Sequence, residues 1–492
     1  MDTILLLAPL FLLFAGIPLT LFLRKRRRMQ LALALGVMLA ALGFTLALLY
    51  AVLMSGKPVT VQLGNWPAPF GITFIADPLT VFMLLMAHLV LAAGFLYAAG
   101  STEKVVQYPT FYPIFLALAT GLTGALLTGD LFTLFVFAEV IVLSGAALTA
   151  IAGDRYGVEA AYKYFYISTL ASAFFLMGIG SLYVSYGTLN IADLAVRIAE
   201  NPSAPLTMAG LAFLTATFLI KGAVFPFHFW QPDFHAAAPT AISAMLSSIV
   251  VKLGVYGLLR LNTLLFAGQT NILPSLLVVL GVIGVIYGGF GAAGTHNAKR
   301  MLAYSTLAQI GFILVGIGWG TPLSLAAALV FTFNHALVKA AMLMLAGAIA
   351  SRAAVKSASF EVVVGVGKYH PFAGVLFLLG GMALAGIPPL NGFISKLLIF
   401  WSGVQAEQYL PLAIIGVVSV MTLIYVFRSF IKIWFEPNPQ AKPKAGDRLW
   451  APAFLITLSL LLGVWPEPLV SLAQQVTGWL GDPSLYILSV LR

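Results

Sequence analysis

The sequence contains no cysteine, so disulfide bonds and thiolate-bound metal centres are excluded from this chain, and redox centres are not expected. Charge is also scarce, because Asp, Glu, Lys and Arg together make up only 9% of the residues. No polar stretch is long enough to form a soluble domain. Instead, 61% of the residues are hydrophobic and the mean hydropathy is +1.01, values outside the range of water-soluble domains. The chain is therefore expected to fold within a lipid bilayer.

Long apolar runs fill most of the 492 residues, which could hold a dozen or more helices of about 20 residues, the length that crosses the hydrocarbon core. Asp77 and Asp130 stand where two of these runs begin and fit helix N-caps, with ion binding as the alternative. The stretch 471–492 is too polar for a span and is expected to lie along the surface or to dock on a partner. The pattern predicts an all-α polytopic membrane protein with fourteen transmembrane helices, at 3–23, 30–54, 76–99, 109–128, 130–151, 160–186, 206–226, 239–261, 272–294, 300–318, 322–349, 371–401, 409–431 and 450–470.

The basic residues predict an orientation. A net charge of +10 would suggest nucleic acid in a soluble protein, but in a membrane protein it fits the excess of Lys and Arg on the cytoplasmic side. With fourteen spans the connecting links alternate between two sides. One side then carries 17 of the 26 Lys and Arg residues, and the other side carries only four. This asymmetry predicts that both termini are extracytoplasmic and that nucleic acid is not a partner.

Some charges remain inside the predicted spans: Lys221, Lys252, Lys339, Lys396, Arg428 and Glu139. Each costs about 2.5–3.5 kcal/mol at the centre of a membrane helix. Static ion pairs between helices could offset that cost, and Arg428 is close enough to a helix end to extend to the interface. One acid cannot neutralise four lysines, however, so most of these lysines must face water or lose their protons. Groups that change charge in this way are what a proton relay requires.

Two of these lysines lie beside residues that break helices. Gly222 and Pro226 follow Lys221. Proline removes a backbone donor and clashes with the preceding turn, so a helix should be interrupted at such a position. The freed carbonyls are tolerated at membrane depth only where they face protein or a wet cavity. Lys396 is preceded by a second group of helix breakers: Gly386, Pro388, Pro389, Asn391 and Gly392.

The two interrupted helices, 206–226 and 371–401, fall fourth in two sets of five helices. Broken helices in corresponding halves of a chain are typical of transporters built from inverted repeats, with the ion path at the breaks. The predicted division is an N-terminal group of three helices, two five-helix repeats, and a last helix with a tail, at 1–108, 109–261, 262–435 and 436–492.

Three segments resemble one family: "FLIKGAVFPFHFWQPDFHAAAPT", "HALVKAAMLMLAG" and "GIPPLNGFISK". In this order they are similar to the antiporter-like subunits shared by Mrp-type cation/proton antiporters, respiratory complex I and membrane-bound hydrogenases, over nearly the whole chain. Lys396 stands where several complex I relatives carry glutamate, so the chain most resembles the D-type subunits of the Mrp branch. The resemblance implies a multi-pass protein of a prokaryotic cell membrane that acts with other membrane subunits in sodium/proton antiport, without a cofactor.

The resemblance also implies functional residues. Glu139 and Lys221 would form a charge pair in the first half, Lys252 would be the central relay, and Lys396 the terminal proton-accepting group. His335 and Lys339 are four residues apart, so they share one helix face and could connect the centre to Lys396. The alternative for His335 is a neutral histidine that is bonded to a hydroxyl or a carbonyl.

Several alternatives stay open at the level of sequence. His228 and His235 follow the first break and either line a cytoplasmic proton entrance or cap the chain reversal. The same fold could also belong to a redox-driven complex, or the chain could be a scaffold whose charges only hold helices together. A sodium site needs several clustered oxygen ligands, and one buried carboxylate provides few. Protons are therefore expected to pass through this chain, with sodium handled by other subunits.

Overall fold

The structure is a computed structural model that describes residues 2–439 and 441–491. Most of the described chain is helical, with one two-stranded antiparallel hairpin, β1 (Val59–Gln62) and β2 (Thr73–Ala76), in which Val59 pairs with Ala76. The helices are α1 Asp2–Phe22, α2 Arg27–Ser55, α3 Pro78–Ala99, α4 Phe111–Leu127, α5 Leu131–Ala150, α6 Arg155–Tyr186, α7 Ile191–Glu200, α8 Thr207–Lys221, α9 Trp230–Ala237, α10 Thr240–Met245, α11 Lys252–Arg260, α12 Ile272–Gly294, α13 Ala298–Trp319, α14 Pro322–Arg352, α15 Phe360–Val363, α16 Pro371–Ala385, α17 Asn391–Gln405, α18 Tyr409–Trp434, α19 Trp450–Val464, α20 Glu467–Leu480 and α21 Pro483–Leu491.

Ten helical segments of the described ranges are long and apolar enough to cross a membrane. Three more apolar helices, α4, α8 and α16, are shorter. The chain is thus a polytopic helical membrane protein, as predicted, to which the structure adds the hairpin. The predicted last span, 450–470, differs from the structure, because α19 ends at Val464 and the chain bends by 79° into α20. Pro466 at the start of α20 accounts for the bend, since proline cannot continue a helix that precedes it.

The centre of the molecule is built from three helical segments that other helices surround. Thr240–Leu265 and α14 are buried along their whole apolar length, and α13 is nearly so. In contrast, α2 and α18 expose most of their apolar side chains, as expected for surfaces that face lipid or a neighbouring subunit. Lys252 and Lys339 lie on the central segments, so they are enclosed by protein rather than placed against lipid.

The segment Thr240–Leu265 is not a regular α-helix. It joins α10 and α11 through a π-turn at Leu246–Val250, which comes just before Lys252, and it ends in a second π-turn. Single π-turns within α-helices are frequent at functional sites. At Gly254 the segment touches the end of α8 so closely that a Cβ would lie 2.5 Å from the Gly222 nitrogen. The first helix break therefore abuts the helix that carries Lys252.

Both predicted interruptions are present. After α8 ends at Lys221, the chain turns through Pro226 before α9 begins, and Gly386–Leu390 separates α16 from α17. Pro388 and Pro389 lie within this second gap. The freed carbonyls of α16 are thereby left available to side chains of neighbouring helices.

Gly392 provides a test of the packing at the second break. A Cβ at this position would lie 1.7 Å from the backbone oxygen of Ala383. Gly392→Ala is therefore expected to destabilise the protein by about 1–3 kcal/mol or more, as overpacking does. Gly36→Ala in α2 is the matched control, because nothing lies within 4 Å of its Cβ and alanine favours helices. Thermal unfolding of the detergent-solubilised protein should show a lower midpoint for Gly392→Ala only, and equal midpoints would contradict this packing.

Two similar backbone bridges lie at opposite ends of the bundle. In each, the residue that caps a long helix pairs with the residue before a short helix: Asp130 with Asn190 before α7, and Asn297 with Ser359 before α15. Each bridge is closed by two backbone hydrogen bonds of 2.9–3.0 Å, and the bonds join equivalent positions in the two bridges. The first bridge adjoins β2 at the start of α3, and the second lines a pocket with Glu103, beyond the end of α3.

The stretch 471–492, expected to lie along the surface or to dock on a partner, packs one face on the chain itself in its described part and leaves other residues exposed. Helix α20 packs against α3 and α14, and α21 packs against α7. The side-chain amide of Gln62, the last residue of β1, donates to the backbone oxygen of Val490 at 3.2 Å. The polar composition that argues against a span therefore reflects an amphipathic segment with a buried face.

Candidate functional site

Glu139 and Lys221 meet between α5 and α8. The lysine Nζ lies 3.9 Å from Oε1 of the glutamate, a charge contact rather than a hydrogen bond. The hydroxyl of Ser172 on α6 contacts the same oxygen. The Lys221 side chain is 8% exposed, and its Nζ has no hydrogen-bond partner among the described residues. The Glu139 side chain is 29% exposed, so the acid of this pair reaches the surface of the chain while the base does not.

A small cavity extends from Lys221 toward the central segment. Ser168 and Trp230 line it on one side, and Val250 and Leu253 line it on the other. It has room for about one water molecule. Because Val250 and Leu253 flank Lys252 in sequence, a water in this cavity would stand between Lys221 and the helix of Lys252.

Lys252 and His335 are in direct contact at the centre of the protein. Nζ of the lysine lies 2.5 Å from Nδ1 of the histidine, and both side chains are buried. Only one hydrogen fits between the two nitrogens, so at least one of them must accept it through a lone pair. The pair can therefore hold a proton on either residue, but it cannot hold an ammonium and an imidazolium that both point hydrogens at each other.

Lys339, one helical turn beyond His335, has different partners. Its Nζ donates to the backbone oxygen of Leu302 at 3.1 Å and to the hydroxyl of Ser305 at 2.7 Å, and Tyr425 of α18 also contacts that hydroxyl at 2.8 Å. Nothing acidic contacts Lys339 in the described ranges. The lysine is therefore held by dipoles alone, without a counter-charge among these residues.

Lys396 bonds to a carbonyl that the second break sets free. Its Nζ donates to the backbone oxygen of Ala385 at 2.8 Å and lies 5.6 Å from the ring centre of Phe312. A cavity with room for about one water connects Lys396 with His335, and Gln309 also lines it. The structure thus places His335 between Lys252 on one side and the Lys396 cavity on the other.

An amide network supports the second break. Asn334 of α14 and Asn391 of α17 bond to each other at 3.0 Å, Asn334 donates to Ser395, and Ser459 of α19 donates to Asn391. These contacts satisfy polar groups that would otherwise be buried unpaired. In the sequence only Asn391 was visible, as a helix breaker. Asn334 gives no local signal, because its partner is on another helix.

His228 and His235 do not form one cluster. His228 stacks on Phe225 and meets the ring of Tyr287 edge-on beside the first break. His235 is fully buried, and Ser243 donates to its backbone oxygen at 3.1 Å. Their ring atoms Nδ1 and Nε2, respectively, have no partner in the described part of the chain. Both interpretations, a proton entrance and a cap of the chain reversal, therefore stay compatible with the positions.

Glu103, in the link between α3 and α4, caps the segment that carries Lys252. Its carboxylate accepts from the backbone and hydroxyl of Thr240, the latter at 2.6 Å, and pairs with Lys356 at 2.8 Å. Burial alone would raise the pKa of Glu103, but the nearby charges of Lys356 and Lys299 hold it below its ordinary value. Glu103 is a fixed negative charge at this end of the bundle.

Asp77 and Arg260 form a buried ion pair that local sequence does not reveal. Asp77 caps α3 through Thr80, as predicted, and its two oxygens also accept from the Arg260 guanidinium at 2.7 Å each. The ring of Tyr486 from α21 covers the guanidinium at 4.9 Å. Arg260 is one of the four basic residues that the charge pattern counts on the extracytoplasmic side, and the structure buries its side chain in the protein. No local signal joins the two residues, because they are 183 positions apart.

Comparison with known proteins decides the family. Residues 128–422 match the model of the NADH:quinone oxidoreductase/Mrp antiporter transmembrane family. The chain belongs to this family. Its relative in Alkalihalophilus pseudofirmus, a D-type subunit of a Na(+)/H(+) antiporter by name, is 34% identical over 92% of this chain and 93% of the relative. All six residues of the predicted proton relay lie within this match, and we call them the row: Glu139, Lys221, Lys252, His335, Lys339 and Lys396.

Solved structures of this family share the whole fold. A chain in the Mrp complex from Dietzia sp. DQ12-45-1b superposes with a TM-score of 0.89 at 27% identity, and the match covers 100% of this chain and 99% of that one. A chain of the membrane-bound sulfane sulfur reductase, an archaeal respiratory membrane complex, gives a TM-score of 0.88 at 28% identity, with coverage of 100% and 99%. Chains of the same fold thus occur in an Mrp complex and in a respiratory membrane complex.

Proposed function

We propose that the chain is the proton-translocating D-type subunit of a multisubunit Mrp-type sodium/proton antiporter. The direct Lys252–His335 contact carries this proposal, because it joins a buried base to a second one through a single shared hydrogen. Cavities on both sides continue the row, toward Lys221 and toward Lys396. A scaffold would not need buried bases that lack an acidic partner, since such bases cost folding energy.

The row works through changes in charge. When Glu139 is ionised it favours the ammonium form of Lys221, and when it is neutral it favours proton release. A released proton would move by way of Lys252 and His335, each able to receive it when the other is neutral. Lys396 ends the row at the second break. Lys339 lies on the same buried helix as His335, beside the main path of the proton. Its positive charge opposes the binding of a second proton on Lys252.

We further propose two inverted repeats, 109–261 and 262–435, in a chain of fourteen crossings with both termini outside. The two matching bridges, at Asp130 and at Asn297, support the repeats because they lie at opposite ends of the bundle. The basic links support the orientation, since several of them meet at the end that holds Glu103. Thr306 follows Asn297 at the distance at which Glu139 follows Asp130. The first repeat therefore carries a glutamate at this position, and the second repeat carries a threonine.

Partner subunits follow from the exposure of Glu139. A carboxyl that reaches a lipid-facing surface would cost several kcal/mol. Neighbouring side chains of α5 and α6 are large, apolar and exposed, among them Val136, Leu143 and Met177. We infer that other membrane subunits of a hetero-oligomer cover this surface in a prokaryotic cell membrane.

Lys396 gives the test of the relay. In everted membrane vesicles we expect Lys396→Met to reduce sodium-driven proton exchange by at least about a hundredfold, the scale on which a lost proton-transfer group acts. Arg428→Met is the matched control, because Arg428 is exposed and, among the described residues, bonds only to the backbone oxygen of Ala293. Exchange at the wild-type rate by the assembled Lys396→Met complex would refute the relay.

A redox-driven complex is the second candidate, favoured by the likeness to the sulfane sulfur reductase chain. Nothing in a chain without cysteine ligates an iron–sulfur cluster in the usual way. The partner subunits therefore distinguish a redox-driven complex from an antiporter. Co-purification with small membrane subunits alone supports the antiporter, and co-purification with iron–sulfur proteins overturns it. We also propose that sodium passes through other subunits, and a cation bound beside Glu139 would contradict that.

A further inference from the structure

Ser172 lies near the middle of α6, where its hydroxyl meets two acceptors. One is Oε1 of Glu139, and the other is the backbone oxygen of Ser168, 2.9 Å away. The serine is buried where α6 faces α5, the helix of Glu139. A hydroxyl has one hydrogen and two lone pairs, so it can donate to only one of these acceptors at a time. The contact therefore has two arrangements.

The charge of Glu139 selects between them. When the carboxylate is ionised, the hydroxyl donates to Oε1 and makes a charge-assisted bond. When Glu139 carries a proton, its own hydroxyl can donate to Oγ of Ser172, which then turns its hydrogen to the carbonyl of Ser168. Each protonation state of the acid thus has a hydrogen bond to the same atom, and neither state requires the carboxyl to move.

The other groups near the carboxyl do not offer this. Lys221 lies 3.9 Å from the same oxygen, beyond hydrogen-bond reach, and an ammonium can only donate. Tyr164 of α6 is the other titratable group that faces Glu139. Among the described residues, Ser172 is the hydroxyl in contact with the acid, and its side chain is buried.

We propose that Ser172 is a positioning residue that holds the Glu139 carboxyl in one place through protonation and deprotonation, by reversing the direction of a single hydrogen bond. This proposal rests on the proposed function, because it matters only if Glu139 changes its charge during transport. Without Ser172 the ionised carboxyl loses a donor and becomes free to turn toward the exposed surface. The acid would then act on Lys221 less strongly and would accept a proton more readily.

The test compares two serines of the same helix. Ser172→Ala removes the bond to Glu139, whereas Ser181→Ala removes only the equivalent bond to a helix carbonyl, from Ser181 to Met177. In everted vesicles we expect Ser172→Ala to lower sodium-driven proton exchange about tenfold, and to move the acid limb of the pH–rate profile toward higher pH, because the carboxylate loses a hydrogen-bond donor. Ser181→Ala should match wild type, and Ser172→Thr, which keeps a hydroxyl, should restore most of the rate.

Three outcomes would overturn the proposal. The first is a wild-type rate and pH profile for assembled Ser172→Ala, the second is equal slowing by Ser181→Ala, and the third is a slower rate with an unshifted profile. A parallel Glu139→Gln complex separates this proposal from the relay itself. If Glu139→Gln is inactive while Ser172→Ala is normal, the relay stands and the serine has no part in it. If the Glu139→Gln complex exchanges sodium and protons normally, the relay is refuted, whatever the result for Ser172→Ala.

Discussion

Lys221→Ala is expected to abolish sodium-driven proton exchange in membrane vesicles while the complex still assembles. The lysine is buried, its Nζ makes no hydrogen bond in the described structure, and its one charged contact is Glu139 at 3.9 Å. Alanine removes the group that passes the proton from the acid toward the centre, and no other base lines the adjoining cavity. Loss of at least about a hundredfold in rate is expected, the usual effect of removing a proton-transfer group.

The measurement is the collapse of a preformed pH gradient on addition of sodium, together with the subunit composition of the purified complex. Lys57→Ala is the control, because Lys57 is exposed in a link outside the row. Exchange at the normal rate by an assembled Lys221→Ala complex would contradict the relay and would favour the scaffold. Loss of assembly would also count against the expectation, since a base without hydrogen bonds should not be needed for folding.

Arg260→Met is expected to produce the largest loss of stability. It leaves the Asp77 carboxylate buried without its guanidinium partner, and breaking a buried pair in this way costs about 3–5 kcal/mol. The ring of Tyr486 also loses the cation beneath it, which loosens α21. Unfolding of the detergent-solubilised protein, followed by heat or by denaturant, should show the loss directly.

Arg197→Met gives the comparison. Arg197 pairs with Asp193 at 3.0 Å, but the arginine side chain is 45% exposed, and exposed pairs contribute only about 0–1 kcal/mol. The double variant Asp77→Asn with Arg260→Met should recover part of the stability, because no unpaired charge then remains buried. Equal effects of Arg260→Met and Arg197→Met would show that the Asp77 pair is not held as the structure indicates.

Features that depend on neighbours in sequence were predictable. Hydropathy follows from composition over a window, so the polytopic helical membrane fold was accessible without coordinates. Proline and glycine act on their own turn of helix, so the interruptions after Lys221 and before Lys396 could be placed to within a few residues. The misplaced charges themselves stood out, because their cost in lipid does not depend on which partner offsets it.

Features that depend on two distant residues were not predictable. Lys252 and His335 are 83 positions apart, and Asp77 and Arg260 are 183 apart, so no local pattern joins them. The π-turn at Leu246–Val250 has no proline or glycine within it and follows from packing. The polar tail is predicted to be at the surface or bound to a partner, although its apolar face is buried against the chain itself.

The sequence by itself determined that this chain spans a membrane, that its helices break beside Lys221 and Lys396, and that several bases lie where lipid would reject them, because each of these properties is local. Only the tertiary structure decided which groups touch. It placed His335 against Lys252, kept acids away from Lys339, and left Glu139 partly exposed beside Ser172. The physical reason is that contacts between helices depend on how the helices rotate and cross, which the packing of the whole bundle sets.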